Sequence, residues 1–467
     1  MIFQRFGLRR LHFVGIGGTG MSGIAEVLLD NGFEVSGSDL AATDVTARLE
    51  GLGARVCQGH SAENLNGGVD LLVISSAVNE NNPEVKAARG RGVTVVRRAE
   101  MLAELMRLKY GVAVAGTHGK TTTTSLIGTV LTDAGLDPTV IVGGRVRALG
   151  TGARLGQSDY LVAEADEYDR SFLRLHPVIA VVTNIDREHL DTYPDLEAIR
   201  EAFSEFANRV PFFGRVILCL DDPNIQTLLP ALRRRRVVTY GLSPQAELAA
   251  YDLEATVGGT RFKVRSSQSG ILGEVELPMP GEHNVRNALA AIAVGLAMEV
   301  DFVRISEALA SFSGVHRRFE HLGTWRGAAV IDDYAHHPTE VRATLQAAHQ
   351  SYPEGRVHAV FQPHLYSRTR DHAEDFGRAL LAADRAYVTD IYGSREEPIA
   401  GVSAEQIIEA AVASGHRHVS HCPRWQDAPP LVAEDVSPGD VVLTLGAGDI
   451  YKLGLRLAED GAAEGGE

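Results

Sequence analysis

At 467 residues the chain is too long for one compact core and fits two or three domains. A hydrophobic fraction of 45% is ordinary for a globular protein, and a formal net charge of −15 argues against a general nucleic-acid binder, which needs a basic face. The three cysteines, Cys57, Cys219 and Cys422, form neither a CxxC pair nor a metal-ligand spacing, so a reducing compartment without disulfides is expected.

The opening MIFQRFGLRRLHFVGIGG holds no apolar segment of signal-peptide or membrane-span type, which predicts a cytoplasmic protein with no membrane partner. Residues 11–16 read as a buried strand, Gly17 to Gly20 as a turn, and Met21 to Asp30 as a helix. Strands follow at 33–38, ending in Asp39, at 69–74 and at 93–96. This alternation predicts a parallel sheet in a first domain of residues 1–108. A second domain, 109–313, restarts with strand 111–115 and helix 121–134, then strands at 160–164, 178–183 and 215–219. Residues 251–277 alternate like antiparallel strands, and 284–298 form an alanine- and leucine-rich helix. In a third domain, 314–467, strands are expected near 328–332, 357–361, 386–390 and 440–445. Helices are expected there near 338–350, 370–382 and 403–413, with a disordered tail at 461–467.

The strongest chemical signal is GTHGKTTTT, Gly116 to Thr124, between a strand and a helix. Glycines let backbone N–H groups approach phosphate oxygens, and the helix start adds a favourable dipole. Lys120 suits β- and γ-phosphate charge and Thr121 suits Mg²⁺, although the loop is shorter than the usual GxxxxGK[ST]. EADEYD, Glu164 to Asp169, closes a strand, and Glu164 is the first candidate for a Mg²⁺ ligand. NIDREHLD also follows a strand and offers His189 for a second metal or a phosphate. GIGGTGMSG, with Gly15, Gly17, Gly18, Thr19 and Gly20, suits a pyrophosphate on a helix N-terminus. Asp39 lies where a ribose-binding acid would, so NAD and a UDP group are both open at this loop. HRRFE, DDYAHHPTE and FQPHLYSRTR gather arginines, histidines and carboxylates in the third domain, and that separate placement suggests a site completed by closure.

In order, GIGGTGMSGIAE, GTHGKTTTT, EADEYDRSFL, NIDREHLDTY, GEHNVRNALAA, HRRFE, DDYAHHPTEV, FQPHLYSRTR and GAGDI resemble the Mur ligase family over nearly the whole chain. The resemblance implies an α/β, three-domain architecture, with Rossmann-like N- and C-terminal domains around a central P-loop ATPase-like domain. It implies ATP-dependent joining of L-alanine to the lactyl carboxylate of UDP-N-acetylmuramate through an acyl phosphate. Carried onto this chain, Gly116, Thr117, His118, Gly119, Lys120, Thr121 and Thr122 make the ATP loop. Thr121, Glu164 and His189 belong to the magnesium sites, and Asn287 resembles an adenine-recognition asparagine. Arg318 and Asp333 resemble third-domain residues near ATP, and the resemblance puts His337 and Arg370 on the substrate side. Several relatives use a carbamylated lysine, but no lysine occurs between Lys120 and Lys263 here. The acidic loop carries Tyr168 where many relatives have serine. A peptide-adding recycling ligase is the nearest alternative. A nucleotide-sugar oxidoreductase leaves GTHGKTTTT unused, and a nucleotide-gated binding protein predicts no amide formation.

Overall fold

A computed structural model describes residues 7–75, 77–146, 151–189, 192–256, 258–394 and 396–464. The chain divides into two compact units, one of Met1–Asp252, Lys263–Val275 and Arg286–Ser313, the other of Leu253–Phe262, Glu276–Val285 and Gly314–Glu467.

The first unit begins with β1 (Arg10–Val14), β2 (Glu34–Asp39), β3 (Arg55–Gln58), β4 (Leu71–Ile74) and β5 (Thr94–Arg97). They form a sheet in the order β3-β2-β1-β4-β5, with every pairing parallel. Leu11, Phe13, Val14, Leu72 and Val73 are buried, as expected of central strands covered on both faces. The order reverses between β1 and β4, so a crevice opens at the carboxyl end of β1, where the first glycine loop lies. The helix after that loop is Thr19–Asp30, two residues longer at its start than the pattern suggested.

The second sheet contains β6 (Tyr110–Ala115), β7 (Thr139–Val146), β8 (Thr151–Arg154), β9 (Tyr160–Glu164), β10 (Ile179–Val182), β11 (Arg215–Cys219), β12 (Val237–Gly241), β13 (Leu248–Thr256), β14 (Gly259–Ser266) and β15 (Gly270–Leu277). Its order is β15-β14-β13-β12-β11-β10-β6-β9-β7-β8. The region 251–277, expected to alternate, lies within β13 to β15, which follow one another at one edge. Central to function is the placing of β6 between β9 and β10, parallel to both. Three loops far apart in sequence therefore leave the sheet side by side.

The other unit is built on β16 (Glu320–Trp325), β17 (Ala328–Asp333), β18 (Val357–Phe361), β19 (Arg385–Val388), β20 (Val419–His421) and β21 (Val441–Leu445). Their order is β16-β17-β21-β18-β19-β20, antiparallel only at β16–β17. Side chains alternate between two cores. Ile331, Phe361 and Leu443 pack with Val341, Leu345, Phe376 and Leu380 on one face. Val330, Val360 and Val442 pack with Val432, Leu453 and Leu457 on the other.

Two expectations need correction here. The helix expected from 370 spans Tyr366–Leu380, which moves Arg370 from its start into its second turn. Of the expected disordered tail, residues 461–464 belong to the helix Tyr451–Glu464, and 465–467 lie outside the described residues. Polar composition misled because Gly461 is a packing residue. A Cβ there would collide with the Thr324 carbonyl of β16, so only glycine brings the helix against the strand. Gly461→Leu should cost about 1–3 kcal/mol through overpacking, measured as a lower urea midpoint. An unchanged midpoint would mean that this last turn is not packed in solution.

Candidate active site

The loop Gly116–Gly119 connects β6 to the helix Lys120–Asp133. Gly116 sits at φ 134°, and a Cβ there would strike the Thr183 hydroxyl, so the residue type is dictated twice. The loop is pinned by the segment after β10. Thr183 Oγ1 donates to the His118 carbonyl at 2.6 Å, and Asn184 Nδ2 does so at 3.0 Å. The His118 N–H donates to Asn184 Oδ1 at 2.8 Å, and the Thr117 N–H to the Asn184 carbonyl at 3.1 Å. Thr117 Oγ1 accepts the Asp186 N–H at 2.9 Å, and His118 Nε2 lies 3.2 Å from Asp186. No side chain caps the helix at Gly119, so its first N–H groups suit an anion. Asn287, which is buried, accepts from Thr123 Oγ1 at 3.1 Å, and its Oδ1 would lie 2.7 Å from a Cβ at Gly119. The asparagine expected to meet adenine thus also packs against the loop.

Lys120 Nζ donates to the Gly116 carbonyl at 2.7 Å and the Thr117 carbonyl at 3.3 Å. It also meets both oxygens of Glu167, at 2.9 and 2.7 Å. Burial alone would lower its pKa, but the Glu167 and Asp166 charges outweigh that and hold it above the ordinary lysine value. Lys120 is therefore a fixed positive charge directed at the loop. Asp166 is likewise subject to burial, yet the Lys120 and Arg98 charges hold it below its ordinary range.

Glu164 ends β9, and Thr121 begins the helix. Burial raises the Glu164 pKa against the pull of the Gly143 N–H and the Thr121 hydroxyl, both of which donate to it. Its Oε1 is buried with no hydrogen-bond partner. A bare buried carboxylate oxygen beside a hydroxyl fits a hard divalent cation that keeps several of its waters. His189, at φ 55°, places Nε2 3.6 Å from Glu167 Oε1, and its ring meets Tyr168 edge-on at 5.0 Å. Burial tends to lower its pKa, but the Glu167 hydrogen bond and the neighbouring carboxylates raise it overall. Tyr193 fastens the acidic loop by donating to the Glu167 carbonyl at 2.8 Å.

The N-terminal glycine loop is also ordered by its own acid. Asp39 Oδ2 accepts the Gly17 N–H at 2.8 Å, Oδ1 accepts the Leu40 N–H at 2.8 Å, and the Gly18 N–H reaches the Gly15 carbonyl at 3.2 Å. Asp39, placed by the sequence where a ribose-binding acid would lie, thus also holds the loop in shape. Arg98 lies over Gly20, with Nη1 3.0 Å from where a Cβ would be, and its other nitrogen is 3.7 Å from Asp166. Thr19 opens the following helix.

In the other unit, the two arginines of HRRFE have different surroundings. Arg317 lies between the Tyr334 and Tyr451 rings at 5.0 and 4.8 Å. It donates to Asp332 and to the Gly446 and Gly448 carbonyls, so it organises the GAGDI segment. Arg318 lies over Tyr334 at 5.3 Å, with Glu340 3.9 Å away. Asp333 accepts the Phe319 and Ala335 N–H groups at 2.7 and 2.8 Å, and burial pushes its pKa up to about 6. His337 is buried and caps the helix Pro338–Ser351 by accepting from Thr339. Arg370 is 54% exposed and forks onto Asp371 at 2.7 and 3.0 Å. Four residues had no assignment from sequence: Glu167, Asn184 and Asp186 in the central loops, and Arg98 at the start of the helix Arg98–Arg107. The first three were inside the noted motifs, and Asn184 lies two residues beyond the end of β10, a position that marks a ligand-facing loop.

Asn184→Ala removes three hydrogen bonds that hold the phosphate-type loop, two through His118 and one to Thr183. Equilibrium dialysis should show triphosphate-nucleotide binding weakened about tenfold. Unchanged binding would mean that the loop holds its shape without this side chain.

Residues 114–295 match the family description "Mur ligase middle domain", residues 10–110 match "Mur ligase family, catalytic domain", and residues 317–448 match "Mur ligase, glutamate ligase domain". The UDP-N-acetylmuramate–L-alanine ligase of Salinibacter ruber is 53% identical over 97% of this chain and 95% of its own length. The protein of that name from Solibacter usitatus is 54% identical over 98% and 96%. The crystal structure of UDP-N-acetylmuramate-alanine ligase from Thermotoga maritima superposes with a TM-score of 0.82 at 31% identity, covering 97% of this chain and 99% of that one. With its three sheets, its β6 loop and these matches along its length, the chain belongs to the Mur ligase family.

Proposed function

We propose that this chain is an ATP-dependent ligase that joins L-alanine to the lactyl carboxylate of UDP-N-acetylmuramate in peptidoglycan precursor synthesis. The observation that carries this reading is the Lys120 loop beside Glu164, in a chain more than half identical to alanine ligases over almost all its length. Under it, residues 1–108 bind the nucleotide sugar through Gly15, Gly17, Gly18, Thr19, Gly20 and Asp39. Residues 109–313 bind ATP, and residues 314–467 close over the reactants. No helix among the described residues is long and apolar enough to cross a membrane; the reading places the enzyme in the cytoplasm, without a membrane partner. The acidic balance supports the absence of a nucleic-acid partner.

A carboxylate is a poor acyl donor until one oxygen becomes a good leaving group. The lactyl oxygen attacks the γ-phosphorus of ATP, the bond to ADP breaks, and an acyl phosphate forms. The neutral amine of L-alanine then attacks the carbonyl carbon and loses a proton as phosphate leaves. Lys120 and the helix-start N–H groups hold phosphate charge that shifts during transfer. Thr121, Glu164 and His189 would hold Mg²⁺, which when bound supplies further charge neutralisation. His189 is placed against Glu167 and steadies the acidic loop beside that position. Arg318 and Asp333 are assigned to the ATP side, Asn287 to the adenine side, and His337 and Arg370 to the substrate side. Exclusion of water protects the acyl phosphate.

ADP release should require Mg-ATP, UDP-N-acetylmuramate and L-alanine together, with a product heavier by one alanyl residue in mass spectrometry. Turnover only with a peptide amine would reassign the chain to the recycling reaction, and no turnover with any amine would sink the ligase reading. Lys120→Met should lower kcat about 10²–10³-fold. Glu164→Gln should raise the Mg²⁺ concentration for half-maximal rate by about tenfold.

A further inference from the structure

Glu84, in the helix Pro83–Gly90 of the first unit, is fully buried and touches none of the chemistry above. An ionised carboxylate is costly to bury unless donors surround it. Four do so here. Asn64 Nδ2 donates to Oε1 at 2.6 Å, and His12 Nε2 lies 3.3 Å from the same oxygen. The Ser38 hydroxyl donates to Oε2 at 2.6 Å, and His60 Nδ1 lies 3.1 Å away. His12 Nδ1 is 2.8 Å from the Ser36 hydroxyl, so one neutral tautomer, protonated on Nε2, satisfies both ends of that ring. Burial works to raise the Glu84 pKa, but the donors outweigh it and hold the group ionised below its ordinary value.

Ser38 connects this cluster to the first glycine loop. Its carbonyl accepts the Gly15 N–H at 2.8 Å and the Ile16 N–H at 3.0 Å. The next residue, Asp39, accepts the Gly17 N–H at 2.8 Å. Three successive N–H groups are therefore set by two residues at the end of β2, and one of those two is clamped through its hydroxyl to Glu84. Apolar packing could fill this space at lower electrostatic cost. It would not anchor Ser38 in direction, because a hydrogen bond to its hydroxyl has a preferred geometry and apolar contact has none.

We propose that Glu84 is a positioning residue for nucleotide-sugar binding. Through Ser38 it orients the carbonyl that holds Gly15 and Ile16, and so shapes the loop that accepts the pyrophosphate. This rests on the assignment of that loop to the nucleotide sugar. The test is calorimetric binding of UDP-N-acetylmuramate to the full chain, with steady-state kinetics, for Ser38→Ala, Glu84→Gln and Gly17→Val. A Cβ at residue 17 would lie 2.9 Å from Asp39 Oδ2, so Gly17→Val spoils the loop directly and should abolish binding. Ser38→Ala should weaken the nucleotide-sugar Kd about tenfold and raise its KM in step, while kcat and the KM for ATP stay within about twofold. Glu84→Gln should do at least as much, and Ser38→Ala decides the matter if that variant does not fold. Loss of binding in Gly17→Val with an unchanged Kd in Ser38→Ala would overturn the positioning role alone. Normal binding in Gly17→Val would overturn the loop assignment and this inference with it. A fall in kcat and a rise in both KM values for Ser38→Ala would reduce Glu84 to general stability.

Discussion

The ammonium of Lys120 is held in a place where burial would otherwise strip its charge. Everything around it follows from keeping that charge. Two loop carbonyls and both oxygens of Glu167 satisfy it, and Asp166 adds a second negative field. The acidic loop must therefore fold back toward the glycine loop, and the Tyr193 hydroxyl and the His189 ring fix that return. A cation already in place costs little reorganisation when phosphate charge moves.

That arrangement depends on strand order. Because β6 lies between β9 and β10, the loop carrying Lys120 has Glu164 on one side and the Thr183–Asp186 segment on the other. Neither neighbour is adjacent in sequence. The residue requirement at Gly116 comes from the same topology, since the hydroxyl that excludes a side chain there belongs to Thr183, just past the end of the neighbouring β10.

The first unit uses polar contacts for a second purpose in its N-terminal sheet. Ser38, Asp39 and Glu84 convert the end of β2 into a frame for the first glycine loop. In the other unit, Arg317 and Arg318 are adjacent in sequence but differ in task. Arg317 is consumed by Asp332 and two carbonyls, whereas Arg318 rests on a tyrosine face near Glu340. Arg317 and Phe319 both have left-handed backbones, at φ 59° and 49°, and the buried Asp332 and Asp333 carboxylates hold the turn by accepting from them.

By itself the sequence determined the elements and the character of the main loops. Apolar runs such as 160–164, 215–219 and 357–361 match their strands end to end, because three to five buried residues between turn signals admit little else. GTHGKTTTT announced a phosphate-type loop because its chemistry is local: glycines, a lysine and a helix start in one stretch. Tertiary structure decided which partners meet. Glu167 was hidden behind Glu164 in one acidic motif, and only the loop's return shows which of the two faces Lys120 and which keeps a bare oxygen. Arg98 carries no local signal at all, and nothing in the sequence shows that the Asp39 carboxylate meets the Gly17 and Leu40 N–H groups. The apparent tail at 461–464 became helix because of a strand more than a hundred residues earlier. Periodicity and turn chemistry act over a few residues and can be read along the chain; hydrogen bonds and close packing between distant segments exist only once the strands have found their order.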